Sequence, residues 1–112
     1  MASFQFQNYI RELDFEGVKL PLDCDTSTGE VIRRSGDRLR ALSRDIASGA
    51  VSNADAVRQV GEIIDEILGP GAVKKIFQGR KPTINHCADI IVYIVNEYNA
   101  AQKEIRDKLT LK

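Results

Sequence analysis

Between Ile63 and Asn99 the chain reads IIDEILGPGAVKKIFQGRKPTINHCADIIVYIVNEYN, and no other stretch restricts the architecture as much. Apolar residues recur at helical spacing on both sides of Gly69-Pro70-Gly71. Proline removes an amide that a helix interior needs and crowds the turn before it, while glycine lets the backbone change direction. The pattern therefore predicts helices that meet across a sharp break. Upstream, Val57, Val60, Gly61, Ile64, Ile67 and Leu68 share one face of a helix that opens at Ser52-Asn53-Ala54-Asp55. Downstream, Val73, Ile76 and Phe77 stand at one-turn spacing in a short helix over 72–78, closed by Gly79. Pro82-Thr83 then precede a last helix. Its residues Ile84, Cys87, Ile91, Ile94, Tyr98, Ala101 and Ile105 fall on a heptad-like repeat, which marks a core spine or a helix-pairing seam.

The preceding half carries other periods. From Phe4 to Asp23 the pattern is strand-like: Leu13, Phe15, Val18, Leu20 and Leu22 largely alternate, and Glu16-Gly17 interrupts them as a turn would. A β-hairpin follows, with Pro21 indicating an edge strand because proline cannot donate to a ladder. Ser27-Thr28-Gly29-Glu30 has the spacing in which a hydroxyl and a carboxylate reciprocally satisfy the free amides of a helix start. A helix is expected from there to Ala47, with Ile32, Leu39, Leu42 and Ile46 inward and Ser48-Gly49 ending it. The whole predicts one α+β, mostly helical domain over 1–112: a β-hairpin within 1–24, then three to four helices over 25–112. A chain of 112 residues can bury roughly two-thirds of its unfolded surface, enough for one ordinary core.

Composition narrows the function classes. Sixteen basic residues balance sixteen acidic ones, so net charge supplies no long-range pull toward nucleic acid or anionic membrane. The longest apolar run, Ile90 to Val95, is far short of the roughly 20 residues that span a bilayer, and MASFQFQNYI does not resemble a signal segment. Cys24 and Cys87 lie far apart without CxxC spacing, as expected of reduced thiols in a cytoplasm.

Catalytic and metal chemistry find little to work with. His86-Cys87 with Cys24 and Asp23 could be imagined around zinc, but adjacent helix side chains diverge by about 100° and the donors fall short, so no metal is expected. Cys87 lies on the apolar stripe as a small core residue. A cysteine–histidine nucleophile pair would need Cys24 or Cys87 to meet His86 across space, and no nucleophile elbow accompanies either. Gly69-Pro70-Gly71 before Lys74-Lys75, and Gly79-Arg80-Lys81, lack the order of a phosphate loop or a dinucleotide fingerprint. They serve as helix punctuation. No cofactor and no enzymatic activity are expected.

Charge placement is more informative. Arg33, Arg40 and Arg44 fall within about 40° of one another, opposite the first helix's apolar stripe. Asp55, Glu62 and Glu66 repeat that spacing opposite the apolar face of the second helix. Two such outward ridges cannot easily pair inside one subunit. They could instead pair between copies and set the register of a head-to-tail homo-oligomer; two solvated faces are the simpler alternative. On the last helix Val92 and Tyr93 lie more than about 100° from the Ile91–Ile94 stripe, so another element or a partner must cover them.

Residues from about Val57 to Glu104 resemble the small tail assembly chaperones of long-tailed bacteriophages and prophages of Gram-positive hosts. The likeness lies in an acidic, apolar helix ending in IIDEILGPGAVKKIFQGR and the following helix HCADIIVYIVNEYN. In that family a hydrophobic-Gly-x-Gly step, an Ile-Phe pair and a basic or glycine-rich turn lead into a similar valine-rich helix. Pro70 departs from the usual polar or acidic residue, and the first helix is more basic than the family suggests. The resemblance implies a protein that binds and shields the tape measure protein and helps recruit tail tube subunits. It further implies self-association, action in the host cytoplasm, absence from the mature virion and similarity to proteins also made in a longer frameshifted form. Other classes remain open: a structural minor tail or head-completion protein, or a nucleic-acid-binding regulator using Arg33, Arg38, Arg40 and Arg44. The neutral charge and the missing helix-turn-helix pattern weigh against the regulator.

Overall fold

A computed structural model describes residues 2–6 and 9–110. A hairpin of β1 (Ile10–Phe15) and β2 (Val18–Asp23) precedes helices α1 (Thr26–Ser48), α2 (Asn53–Leu68), α3 (Ala72–Phe77) and α4 (Ile84–Leu109). The fold is thus mostly helical α+β, as the periodicities predict.

The hairpin is antiparallel, with Phe15 opposite Val18, Leu13 opposite Leu20 and Arg11 opposite Leu22. Alternation then puts Leu13, Phe15, Leu20 and Leu22 on one buried face, while Glu12, Asp14, Lys19 and Pro21 face solvent. Glu16 and Gly17 both take positive φ, 54° and 95°, so the two-residue turn follows the twist of the strands. Asp14 Oδ1 accepts the Gly17 amide at 2.7 Å.

Three helix starts carry side-chain caps. Thr83 accepts the His86 amide for α4, and Ser52 accepts the Asp55 amide for α2, as the sequence suggests. At α1 the expectation is corrected: Asp25, not Ser27, is the cap. Its carboxylate accepts the Thr28 amide at 2.9 Å and the Ser27 hydroxyl at 2.8 Å. Those two hydrogen bonds, the Thr28 amide foremost, hold the Asp25 carboxyl below its ordinary range. Glu30 is occupied elsewhere, pairing with Arg33 at 2.8 Å.

The Gly-Pro-Gly break proves to be a tightly determined joint. Gly69 takes φ 113° and ψ 156°, and Gly71 takes φ 82°, both conformations that side chains resist. The joint brings α3 back onto α2, where Asp65 Oδ1 accepts the Val73 amide at 2.9 Å. A carboxylate of the chain itself therefore occupies the anion-attracting start of α3.

One apolar cluster unites hairpin and helices, from Leu13, Phe15 and Leu22 through Leu42, Val60 and Ile64 to Phe77, Cys87, Ile90 and Ile94. Its hub is α2, which touches α1, α3, α4 and β2. The last helix, which the sequence marks as a core spine or a pairing seam, packs against it and brings Cys87 and Ile94 into the cluster. Because α2 is surrounded, its apolar arc is wider than one stripe: Ala56 and Ile63 are buried as fully as Val60 and Ile64. On α1 the inward row includes Ser35, whose hydroxyl donates to the Val31 carbonyl at 2.7 Å and so arrives in the core already satisfied. The molecule measures 62 × 28 × 19 Å, and its radius of gyration of 16.5 Å exceeds the about 13 Å of a compact chain this long.

Candidate functional site

An apolar groove of about 290 Å³ lies between the hairpin turn, α3 and α4. Phe15 from β1, Ile76 and Phe77 from α3, and Ile90 and Tyr93 from α4 form its walls. Glu16, Arg80, His86 and Asp89 stand around it, with Arg80 bridging to Glu16 at 3.0 Å. Each wall residue arrives by a local rule. Alternation along β1 turns Phe15 inward, the Gly71 joint swings Ile76-Phe77 back toward the hairpin, and one helical turn aligns Ile90 with Tyr93 and Ile94.

Tyr93 is partly spoken for within the chain. Its ring meets Phe15 edge-on at 5.3 Å and 85°, and its hydroxyl accepts the Asp14 amide at 3.2 Å. Of the two coverings the sequence leaves open, another element or a partner, the hairpin supplies the first for Tyr93, which becomes a groove wall. Val92, on the adjacent face of α4, remains 58% exposed.

The charged ridges are rearranged as well. Among the described residues Arg33, Arg40 and Arg44 make no ion pair with Asp55, Glu62 or Glu66, but α1 and α2 lie side by side and the neighbouring arginines of α1 reach across. Arg38 lies 3.8 Å from Glu62 and 3.4 Å from Glu66, and Arg34 lies 3.6 Å from Glu66. Arg58 also contacts Glu62 at 2.8 Å and Asp55 at 4.0 Å. Of the basic ridge, Arg33 pairs with Glu30 and Arg40 with Asp37 along α1 itself. Among the described residues no carboxylate lies within 4.0 Å of Arg44. Glu62 and Glu66 are therefore partnered inside the chain, and the acidic ridge is largely neutralised.

At the opposite end of the hairpin, Arg11 reaches α4, with Nε 3.0 Å from Glu97 and a terminal nitrogen 3.1 Å from Glu104. Glu104 and then Glu97 push the guanidinium further above its already high range. Gln102 donates to the Cys24 carbonyl at 3.0 Å, and Lys108 sits over the Tyr9 ring at 5.1 Å. These contacts tie the far half of α4 to the start of the hairpin. A second, more polar hollow lies there, among Arg11, Glu104, Lys108 and Tyr9.

The thiols lie inside the core. Cys24 and Cys87 are 2% and 0% exposed, and burial pushes both thiols above their ordinary range, which suppresses the thiolate. His86 is exposed on the neighbouring face of α4. Among the described residues no group of three His, Cys, Asp or Glu side chains converges as a metal set, and no helix is long and apolar enough to cross a membrane.

An α+β scaffold presenting an apolar groove is what the fold and its geometry define. The chain belongs to the family of unknown function DUF6673, which matches residues 17–112. No curated protein and no solved structure matches it.

Proposed function

We propose that this protein is a tail assembly chaperone, which binds and shields the tape measure protein of a long-tailed phage or prophage and helps recruit tail tube subunits. One observation carries the reading. The Ile76-Phe77 pair and the Ile90–Tyr93 turn, which belong to the segment resembling that family, supply four of the five apolar walls of the groove. An apolar groove beside an exposed valine suits transient capture of hydrophobic side chains from a helical client. Binding of this kind needs no cofactor, and occupancy ends when tube subunits polymerise around the client. Such a protein acts in the host cytoplasm and is absent from the finished particle.

Co-expression with the tape measure protein of the same phage tests the proposal. The chain should keep that protein soluble and co-purify with it, and Val92→Asp should weaken the capture while leaving the fold intact. A tape measure protein that stays insoluble and unbound sinks the reading. Mass spectrometry of mature virions should lack the chain; stoichiometric retention there would make it a structural minor tail or head-completion component instead.

A further inference from the structure

Among the described residues two features have no counterpart, and they are complementary. The first is the segment before β1, SFQFQNY, in which Phe4 and Phe6 are 80% and 91% exposed. Their rings pack on each other edge-to-face at 4.8 Å and form one aromatic knob. Bare phenyl rings each forfeit a large apolar burial, so a knob of two is costly to leave in water. The second is the apolar groove of about 290 Å³ at the hairpin turn. A cavity of roughly 150 Å³ accommodates one benzene ring, so the groove has space for about two. Its aromatic walls, Phe15, Phe77 and Tyr93, offer the edge-to-face partners that such rings prefer.

The chain cannot close this contact on itself. The Tyr9 carbonyl accepts the Cys24 amide at 2.7 Å, which holds Tyr9 in line with β1. Phe15 lies a further strand length away, about 20 Å at 3.3 to 3.4 Å per residue. Between Tyr9 and Phe6 a fully extended chain spans only about 10 Å, so the paired rings cannot both turn back to the groove. The hollow near the segment sets Arg11, Glu104 and Lys108 beside Ile10, Ala101 and Ile105, and rings entering it would have to desolvate those charges.

We propose that Phe4 and Phe6 of one copy seat in the groove walled by Phe15, Ile76, Phe77, Ile90 and Tyr93 of a second copy. Knob and groove sit at opposite ends of β1, so the contact is head-to-tail. Each added copy leaves one knob and one groove free, and association proceeds to chains or closes as a ring. The groove is the one assigned to the client above. The self-contact does not depend on that assignment, and it is read with no client present.

The 112-residue chain carries no tryptophan, so Phe6→Trp introduces a single reporter at the knob. With rising concentration its emission should shift to the blue in step with an increase of mass by light scattering. The Phe4→Ala/Phe6→Ala chain should remain a monomer, and so should a groove-blocked Ile76→Arg chain that retains the helical circular dichroism of the parent. Mixed together, these two should form a one-to-one dimer that grows no further. If Ile76→Arg fails to fold, a labelled peptide of residues 2–9 replaces it. That peptide should bind the Phe4→Ala/Phe6→Ala chain about ten- to a hundredfold more tightly than its own double-alanine version. A parent chain that stays monomeric at every concentration overturns the proposal. So does a double-alanine chain that associates as the parent does, or a peptide that binds equally well without its rings.

Discussion

At single residues, conformation and burial decide more than chemical type. Glu16 occupies a turn position with φ 54°, which a side chain with a β-carbon adopts at a cost of about 1–2 kcal/mol. Asparagine tolerates that region and is favoured before glycine in such turns. Glu16→Asn is therefore expected to stabilise the fold by up to about 1 kcal/mol in urea denaturation, because the exposed Arg80 bridge that it removes contributes less. The two thiols make a different prediction. Burial raises both above the ordinary value of 9.0, so in the folded state they keep their protons to higher pH than in the unfolded chain. Their contribution to stability is complete below that value and is lost as pH rises through it and on through the folded-state values. Denaturation midpoints measured from pH 8 to pH 10.5 should fall, and Cys87→Ala should flatten the decline. That Cys87 is a core residue follows from its place on the repeat. Cys24 is buried because it continues the alternation of Leu20 and Leu22 one step beyond β2, onto the face that packs against the helices.

At the level of elements, the sequence predicts the helices better than their neighbours. Four helices and a hairpin are legible because each carries its own period and its own stop. The buried Ser35 is passed over, because a hydroxyl in the gap between Ile32 and Leu39 carries no apolar signal. Spacing gives no sign that Tyr98 of α4 donates its hydroxyl to the Asp25 carbonyl at 3.2 Å, directly above Gly29. A β-carbon at Gly29 would collide with that hydroxyl, whereas at Gly36 the nearest atom is the tip of Arg40 at 3.7 Å. Gly36→Ala should thus gain most of the helix propensity of alanine, about 0.5–1 kcal/mol. Gly29→Ala must push Tyr98 off Asp25 and should gain nothing or lose stability. Paired urea titrations of the two variants measure the difference, and equal gains would contradict the close approach.

For the whole molecule, arrangement governs how copies would meet. Pairing of Arg34 and Arg38 with Glu62 and Glu66 uses up charge that two outward ridges would otherwise present. Association through an apolar knob should therefore hold from low salt to about 0.5 M, where screening confines ionic attraction to a few ångströms. Light scattering across that range checks it, and dissociation by salt would return the contact to the ridges. The sequence alone determined the elements, their order, their caps in large part and the inward face of each, because these depend on neighbours within a few residues. Only the tertiary structure decided that α2 is the hub, that arginines of α1 meet glutamates of α2, and that Phe15, Phe77 and Tyr93 enclose one groove. Those outcomes depend on the angle set by Gly69-Pro70-Gly71 and on contacts between residues far apart in the chain, which no local period encodes.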